Sequence, residues 1–154
     1  MPRNLIKLLP LLSLLAACAG NQAYNDGQAM LGAGRTEQGL ALLEQAAQAE
    51  PTNAKYRIAV TNGKMRALNS LNGRAEALRQ QGSLAEAQTL YRQALAIDAS
   101  DDVAQRGLAS VAQDERHRKL VQEAQASYQR GGEANVAQAQ EALRQVLQER
   151  PAQR

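Results

Sequence analysis

Gly82-Ser83-Leu84-Ala85-Glu86-Ala87-Gln88-Thr89-Leu90-Tyr91-Arg92-Gln93-Ala94-Leu95-Ala96-Ile97-Asp98 is the stretch whose pattern decides the fold of this chain. Leu84, Ala87, Tyr91, Ala94 and Ile97 recur three or four residues apart, which lays an apolar stripe along one face of a helix. A helix of this kind must bury that face. Ser83 followed three residues later by Glu86 writes a capping box, in which hydroxyl and carboxylate satisfy amides left without partners at the helix start. Gly82 lets the chain turn sharply out of the helical run Ala75-Glu76-Ala77-Leu78-Arg79-Gln80-Gln81. The pattern predicts two helices joined as a hairpin.

The same hairpin is written three times. Small residues stand at Gly27, Ala75 and Ser127, and twelve residues after each comes another, at Gly39, Ala87 and Ala139. Such pairs let two antiparallel helices approach closely. Four residues further on are Leu43, Tyr91 and Leu143, then Ala46, Ala94 and Val146, and later Pro51, Ala99 and Pro151. Turn glycines recur as Gly34, Gly82 and the pair Gly131-Gly132. This register resembles the tetratricopeptide repeat. The resemblance implies an all-α fold of about three helical hairpins, in which the positions just named are the packing positions. The chain departs from the repeat in lacking the aromatic residue early in the first helix and in carrying Ala99 where the closing proline belongs.

The copies are spaced too widely for a plain array. From Gly27 to Ala75 is 48 residues and from Ala75 to Ser127 is 52, against a period of about 34. The excesses are close to four and five whole helical turns, so lengthening a helix by that much keeps its apolar face in phase. Two elongated helices are therefore expected, one over about 53–81 and one over about 101–130. Gly63 and Gly73 weaken the first, each by about 1 kcal/mol relative to Ala, and a break into two helices is the alternative for either. Thr52 or Asn53 can cap its start, and Ser100-Asp101-Asp102 supplies a cap and acids for the second.

The amino terminus reads as an export signal over residues 1–17. Arg3 and Lys7 form its charged beginning, and Leu8-Leu9-Pro10-Leu11-Leu12-Ser13-Leu14-Leu15 an apolar core too short for a permanent membrane span. Leu15-Ala16-Ala17-Cys18 follows, and it looks like a bacterial lipoprotein box. The likeness implies that Cys18, the sole cysteine, becomes the lipidated first residue of the mature chain. Several acyl chains make a stable anchor where one is marginal. Ala19 at the next position, where an aspartate would retain the protein, implies delivery to the outer membrane. Residues 18–22 then form the lipidated terminus with a short linker, and residues 23–154 the helical repeats, held close to the membrane surface.

Composition excludes several classes. With one cysteine there is no disulfide within the chain, so stability rests on a helical core of Leu, Ala, Val and four Tyr, with no Phe or Trp. The net charge of +3 largely leaves with Arg3 and Lys7, which gives no reason to expect a nucleic-acid partner. The lone His117 has no second His or Cys at ligand spacing, so no metal site is expected, and no cofactor motif is present. It also stands among Arg116, Arg118 and Lys119, poor surroundings for a catalytic base, and no nucleophile or phosphate loop accompanies it. The chain reads as a non-enzyme. The cluster Asp114-Glu115-Arg116-His117-Arg118-Lys119 reads as a solvated segment of the long helix, its acids and bases pairing at helical spacing.

Binding is what remains. In the repeat's pattern the groove-facing positions of the second copy are Asn72, Glu76 and Arg79, and of the third Ala124 and Tyr128, whose polarity implies a peptide or partner loop. A further resemblance emerges from the order of the pieces. The lipobox, Glu50-Pro51-Thr52-Asn53-Ala54-Lys55-Tyr56-Arg57, the second repeat, Arg106-Gly107-Leu108-Ala109, the Arg116-His117-Arg118 cluster and the third repeat together are similar to the amino-terminal region of some secretins. These are the outer-membrane channels of type II secretion and type IV pilus systems. The sequence stops at Arg154 without β-rich modules, so no pore is expected. The resemblance implies an outer-membrane-anchored scaffold that faces the periplasm and holds a secretion or pilus component. Two alternatives are an envelope lipoprotein assisting cell-wall or outer-membrane assembly, and the front piece of a longer secretin. Leu143, Val146 and Leu147 are expected to leave one flank of the last helix uncovered.

Overall fold

A computed structural model describes residues 9–149, with side chains from residue 19 onward; the signal start at residues 1–8, the Cys18 side chain and Pro151 lie outside the described residues. Six helices follow one another among the described residues: α1 (Leu9–Gly32), α2 (Thr36–Ala49), α3 (Ala54–Gln80), α4 (Leu84–Ile97), α5 (Asp102–Arg130) and α6 (Glu133–Glu149). The fold is all-α. Both elongated helices are present and unbroken, α3 with 27 residues and α5 with 29. None of the described helices is long and apolar enough to cross a membrane.

The turns follow from their glycines. Gly34 has a positive φ of 76°, and its N–H donates to Leu31 O while that of Arg35 donates to Met30 O. Gly82, with φ 84°, repeats this arrangement onto Arg79 O, with Ser83 N–H on Leu78 O. Both are the left-handed helix ends that glycine adopts without a Cβ penalty. Between α2 and α3, Asn53 is the cap that forms: its Oδ1 accepts from Lys55 N–H at 3.1 Å while its Nδ2 donates to Glu50 Oε2.

The chain divides into two compact units. The first holds the described part of Met1–Gly73 together with Gln93–Asp101. In it Gly27 and Gly39 set backbone against backbone: a Cβ on Gly39 would stand 2.8 Å from the Gly27 carbonyl oxygen. Leu43 lies over Gly27 on one side and Gly63 on the other, and is fully buried. Gly63 therefore has a packing reason to interrupt neither the helix nor the core. At the unit's end Ala23, Ala46 and Tyr56 form a small cluster, with Tyr24 stacked on Tyr56 at 5.3 Å between ring centroids.

The second unit holds Arg74–Arg92 and the described part of Asp102–Arg154. Ala75, Ala87, Tyr91, Val111, Ala124, Ser127, Ala139 and Val146 are buried there. Leu143, 43% exposed, and Leu147, 73% exposed, lie on the flank of the last helix expected to be uncovered, whereas Val146 of that flank is buried; Leu143 therefore does not pack as Leu43 and Tyr91 do. Leu43 is buried because helices lie on both sides of it, whereas α6 is the last helix among the described residues. Ala124, expected on a groove, is buried in the packing instead.

Candidate functional site

Beside Ala124, four residues are predicted to meet a partner, and they stand in different settings. Asn72 is buried in the first unit, where its Nδ2 donates to Asp101 Oδ1 at 3.0 Å and its own Oδ1 accepts nothing. Tyr128, near the end of α5, is 68% exposed. Glu76 and Arg79 lie one helical turn apart on α3 and face each other. Arg79 grips Glu76 as a fork, with Nε to Oε2 at 2.9 Å and Nη2 to Oε1 at 2.8 Å. Its remaining Nη1 donates to Asp114 Oδ2 of α5 at 2.6 Å.

Tyr91 completes this network from α4, its hydroxyl donating to Glu76 Oε2 at 3.0 Å. The ring is buried directly over Gly107 of α5, where a Cβ would stand 2.3 Å from two of its carbons. The polarity of Glu76 and Arg79 is thus used inside the second unit, joining α3, α4 and α5. The Arg79 fork, with help from Gln80 and Tyr91, holds the Glu76 carboxyl at a pKa of about 2, below its ordinary 4.5. Burial and the bond to Glu76 push the Tyr91 hydroxyl up to about 12. Because the folded pKa of Glu76 is depressed, its stabilisation is complete above about pH 4.5 and is lost as pH falls toward 2. The Glu76 side chain is 42% exposed, so solvent screening leaves about 1 kcal/mol of this at neutral pH. Glu76→Gln should therefore be less stable at pH 7, with a gap that closes as urea midpoints are measured down to pH 2.5. A gap independent of pH would show that the charge of Glu76 contributes nothing.

The charged cluster of α5 is also less solvated than its composition suggests. His117 is buried, with Nε2 2.9 Å from Glu149 Oε2 and Nδ1 without a partner. Gln113 Nε2 donates to Glu149 O at 3.0 Å, so two side chains of α5 hold the end of α6. The hydrogen bond from His117 is the main reason that Glu149 titrates below the usual carboxylate range. Arg118 reaches Gly82 O at 2.6 Å and ties down the α3–α4 turn. Asp114 is taken by Arg79. Sequence reasoning missed these ties because each partner stands 32 to 36 residues away.

Among the described residues no group of three or more His, Cys, Asp or Glu is placed to hold a metal. The arrangement builds and braces surfaces. Its exposed large apolar side chains are Val103, Val121, Tyr128, Leu143 and Leu147 on α5 and α6, and Ile58 and Met65 on α3.

No curated protein and no solved structure matches the chain. A family model described as tetratricopeptide repeat matches residues 68–111, the segment from the second half of α3 through α4 into α5 that carries Asn72, Glu76, Arg79, Tyr91 and Gly107. A tetratricopeptide repeat thus lies within this all-α chain, and repeats of this class are protein-interaction modules.

Proposed function

We propose that this chain is a non-catalytic, protein-binding scaffold anchored by lipid at Cys18 to the outer membrane, facing the periplasm and serving a secretion or pilus assembly. The observation that carries the reading is one of order: a lipobox ending at Cys18 leads directly into helical hairpins, one of which matches the tetratricopeptide repeat. Gly20, two residues after Cys18, is already buried against Ala49, Glu50 and Tyr56. That packing supports repeats held at the membrane surface with no stalk between. Anchoring fixes the location, and exposed apolar residues such as Tyr128 and Leu147 offer contact points for a protein partner.

The test is intact-mass analysis of the chain purified from envelopes, followed by crosslinking in intact cells. A mature terminus at Cys18 carrying acyl chains, with secretin or pilus proteins crosslinked, is the expected result. Cys18→Ser should release the chain from the membrane fraction. An unacylated chain overturns the anchor, and an acylated chain crosslinked only to cell-wall or outer-membrane assembly factors moves the scaffold to that machinery.

A further inference from the structure

The first half of α3 is charged in one sense only. Between Pro51 and Ala75 stand Lys55, Arg57, Lys64, Arg66 and Arg74, with no acidic residue. Ile58 and Met65 are seven residues apart, two turns on one face, and are 61% and 54% exposed. Thr61, Asn62 and Asn69, all exposed and uncharged, share that face. At 3.6 residues per turn, Lys55 and Arg66 flank it on one side and Arg57 and Lys64 on the other.

Little within the first unit neutralises these bases. Lys64 Nζ lies 3.4 Å from Glu44, but both side chains are more than 40% exposed, so that pair is weak and screened. Asp98 adds a more distant attraction to Lys64. Lys55 rests over the Tyr24 ring at 4.1 Å, a contact that leaves its charge in place. Arg57 and Arg66 form no ion pair among the described residues. Apolar side chains along a midline flanked by Lys and Arg are the chemistry of a helix lying at a lipid interface.

We infer that this face of α3 rests on the anionic headgroups of the membrane, with Ile58 and Met65 entering the interfacial layer. The inference builds on the proposed anchor, because the first turn of α3 packs against Gly20, two residues after Cys18. A Cβ on Gly20 would lie 3.5 Å from the Tyr56 ring. The anchor brings a negatively charged surface within reach of this face. An acidic protein would have to be recruited there. The acyl chains hold the protein to the bilayer, and α3 determines which side it turns away from the bilayer.

Cys18 is the only cysteine, so in the acylated protein Met65→Cys introduces a single free thiol for a polarity-sensitive fluorophore. Reconstituted in phosphatidylcholine vesicles containing phosphatidylglycerol, the label should shift to the blue and be quenched by lipids brominated in their tails. Phosphatidylcholine alone, or high salt, should abolish both signals. R57E/R66E should weaken the response about tenfold or more, since each base near an anionic surface contributes to binding. A label at Glu37→Cys, exposed on α2, should stay in water throughout. A label at position 65 that remains in water in every vesicle overturns the inference. So does protection of that label by polyglutamate without a vesicle response, which assigns the face to an acidic protein. Failure of the anchor is read separately: if intact mass shows Cys18 unacylated, Cys18→Ser/Met65→Cys is added to the same vesicles. A response that needs phosphatidylglycerol and is lost in R57E/R66E then supports the face without the anchor, and its absence overturns it.

Discussion

Gly107→Ala should lower stability by about 2 kcal/mol and the thermal midpoint by roughly 5 °C. The new methyl would lie 2.3 Å from two carbons of the Tyr91 ring, far inside van der Waals contact. The ring is buried, and its hydroxyl is held by Glu76, which the Arg79 fork holds in turn. To yield by the needed ångström, Tyr91 must give up that hydrogen bond or α5 must move away from α4. Overpacking of this kind costs up to about 3 kcal/mol, and the better helix propensity of Ala returns about 1. Steric cause is separable from any other by a double mutant. Tyr91→Leu removes the obstructing ring, so Gly107→Ala in that background should be neutral or stabilising, a coupling expected only of groups in contact. Wild-type stability in Gly107→Ala would mean that the ring does not lie where the geometry places it.

Gly39→Ala is expected to cost roughly 2 kcal/mol or more, for a harder reason. Its Cβ would meet the Gly27 carbonyl oxygen at 2.8 Å and the Leu31 amide nitrogen at 2.9 Å, both backbone atoms of α1. No rotamer change relieves a clash with a helix backbone. The two helices must separate, and the contact of Leu43 with Gly27 loosens with them. Hydrogen exchange should locate the damage, with amides of α1 and α2 losing protection before those of α5 and α6, as expected where repeats depend on their neighbours. Uniform loss across all six helices would mean that the chain unfolds as one unit.

Helices and partnerships were legible in the residues to different degrees. Helices and their lengths were written plainly. The surplus of residues between copies comes to nearly whole turns, and α3 and α5 run unbroken to within a residue of the expected limits. Thr52 or Asn53 was expected to cap α3, and Asn53 does so, its Oδ1 accepting from Lys55 N–H. Partnerships were harder to read. Asn72, Glu76 and Arg79 were placed on a groove by the register of the tetratricopeptide resemblance, and their polarity was taken to imply a partner. Asp101, Tyr91 and Asp114, 29, 15 and 35 residues away, show that much of this polarity is used internally. A single sequence carries no local sign of such pairs. Gly107 was quoted only as part of a resemblance, since a glycine inside a helix looks like a defect until the ring above it is seen. Leu143 matches Leu43 and Tyr91 in register, yet it was also named on the flank of the last helix expected to be uncovered, and there it is exposed.

The absence of tryptophan gives the tyrosines a use. With no indole to collect the excitation energy, each phenol ring reports its own surroundings. Tyr91, its hydroxyl on a carboxylate, marks the second unit, and the stacked pair Tyr24 and Tyr56 marks the first. In an alkaline titration followed by tyrosinate absorbance, Tyr91 should ionise only near pH 12. The stability it lends as a neutral donor is complete below about pH 10 and fades as pH rises through 12. A shift of that late step to lower pH in Glu76→Gln, with burial still holding it above the ordinary tyrosine value, would read the network by absorbance alone. The protein therefore carries an intrinsic optical label in each unit.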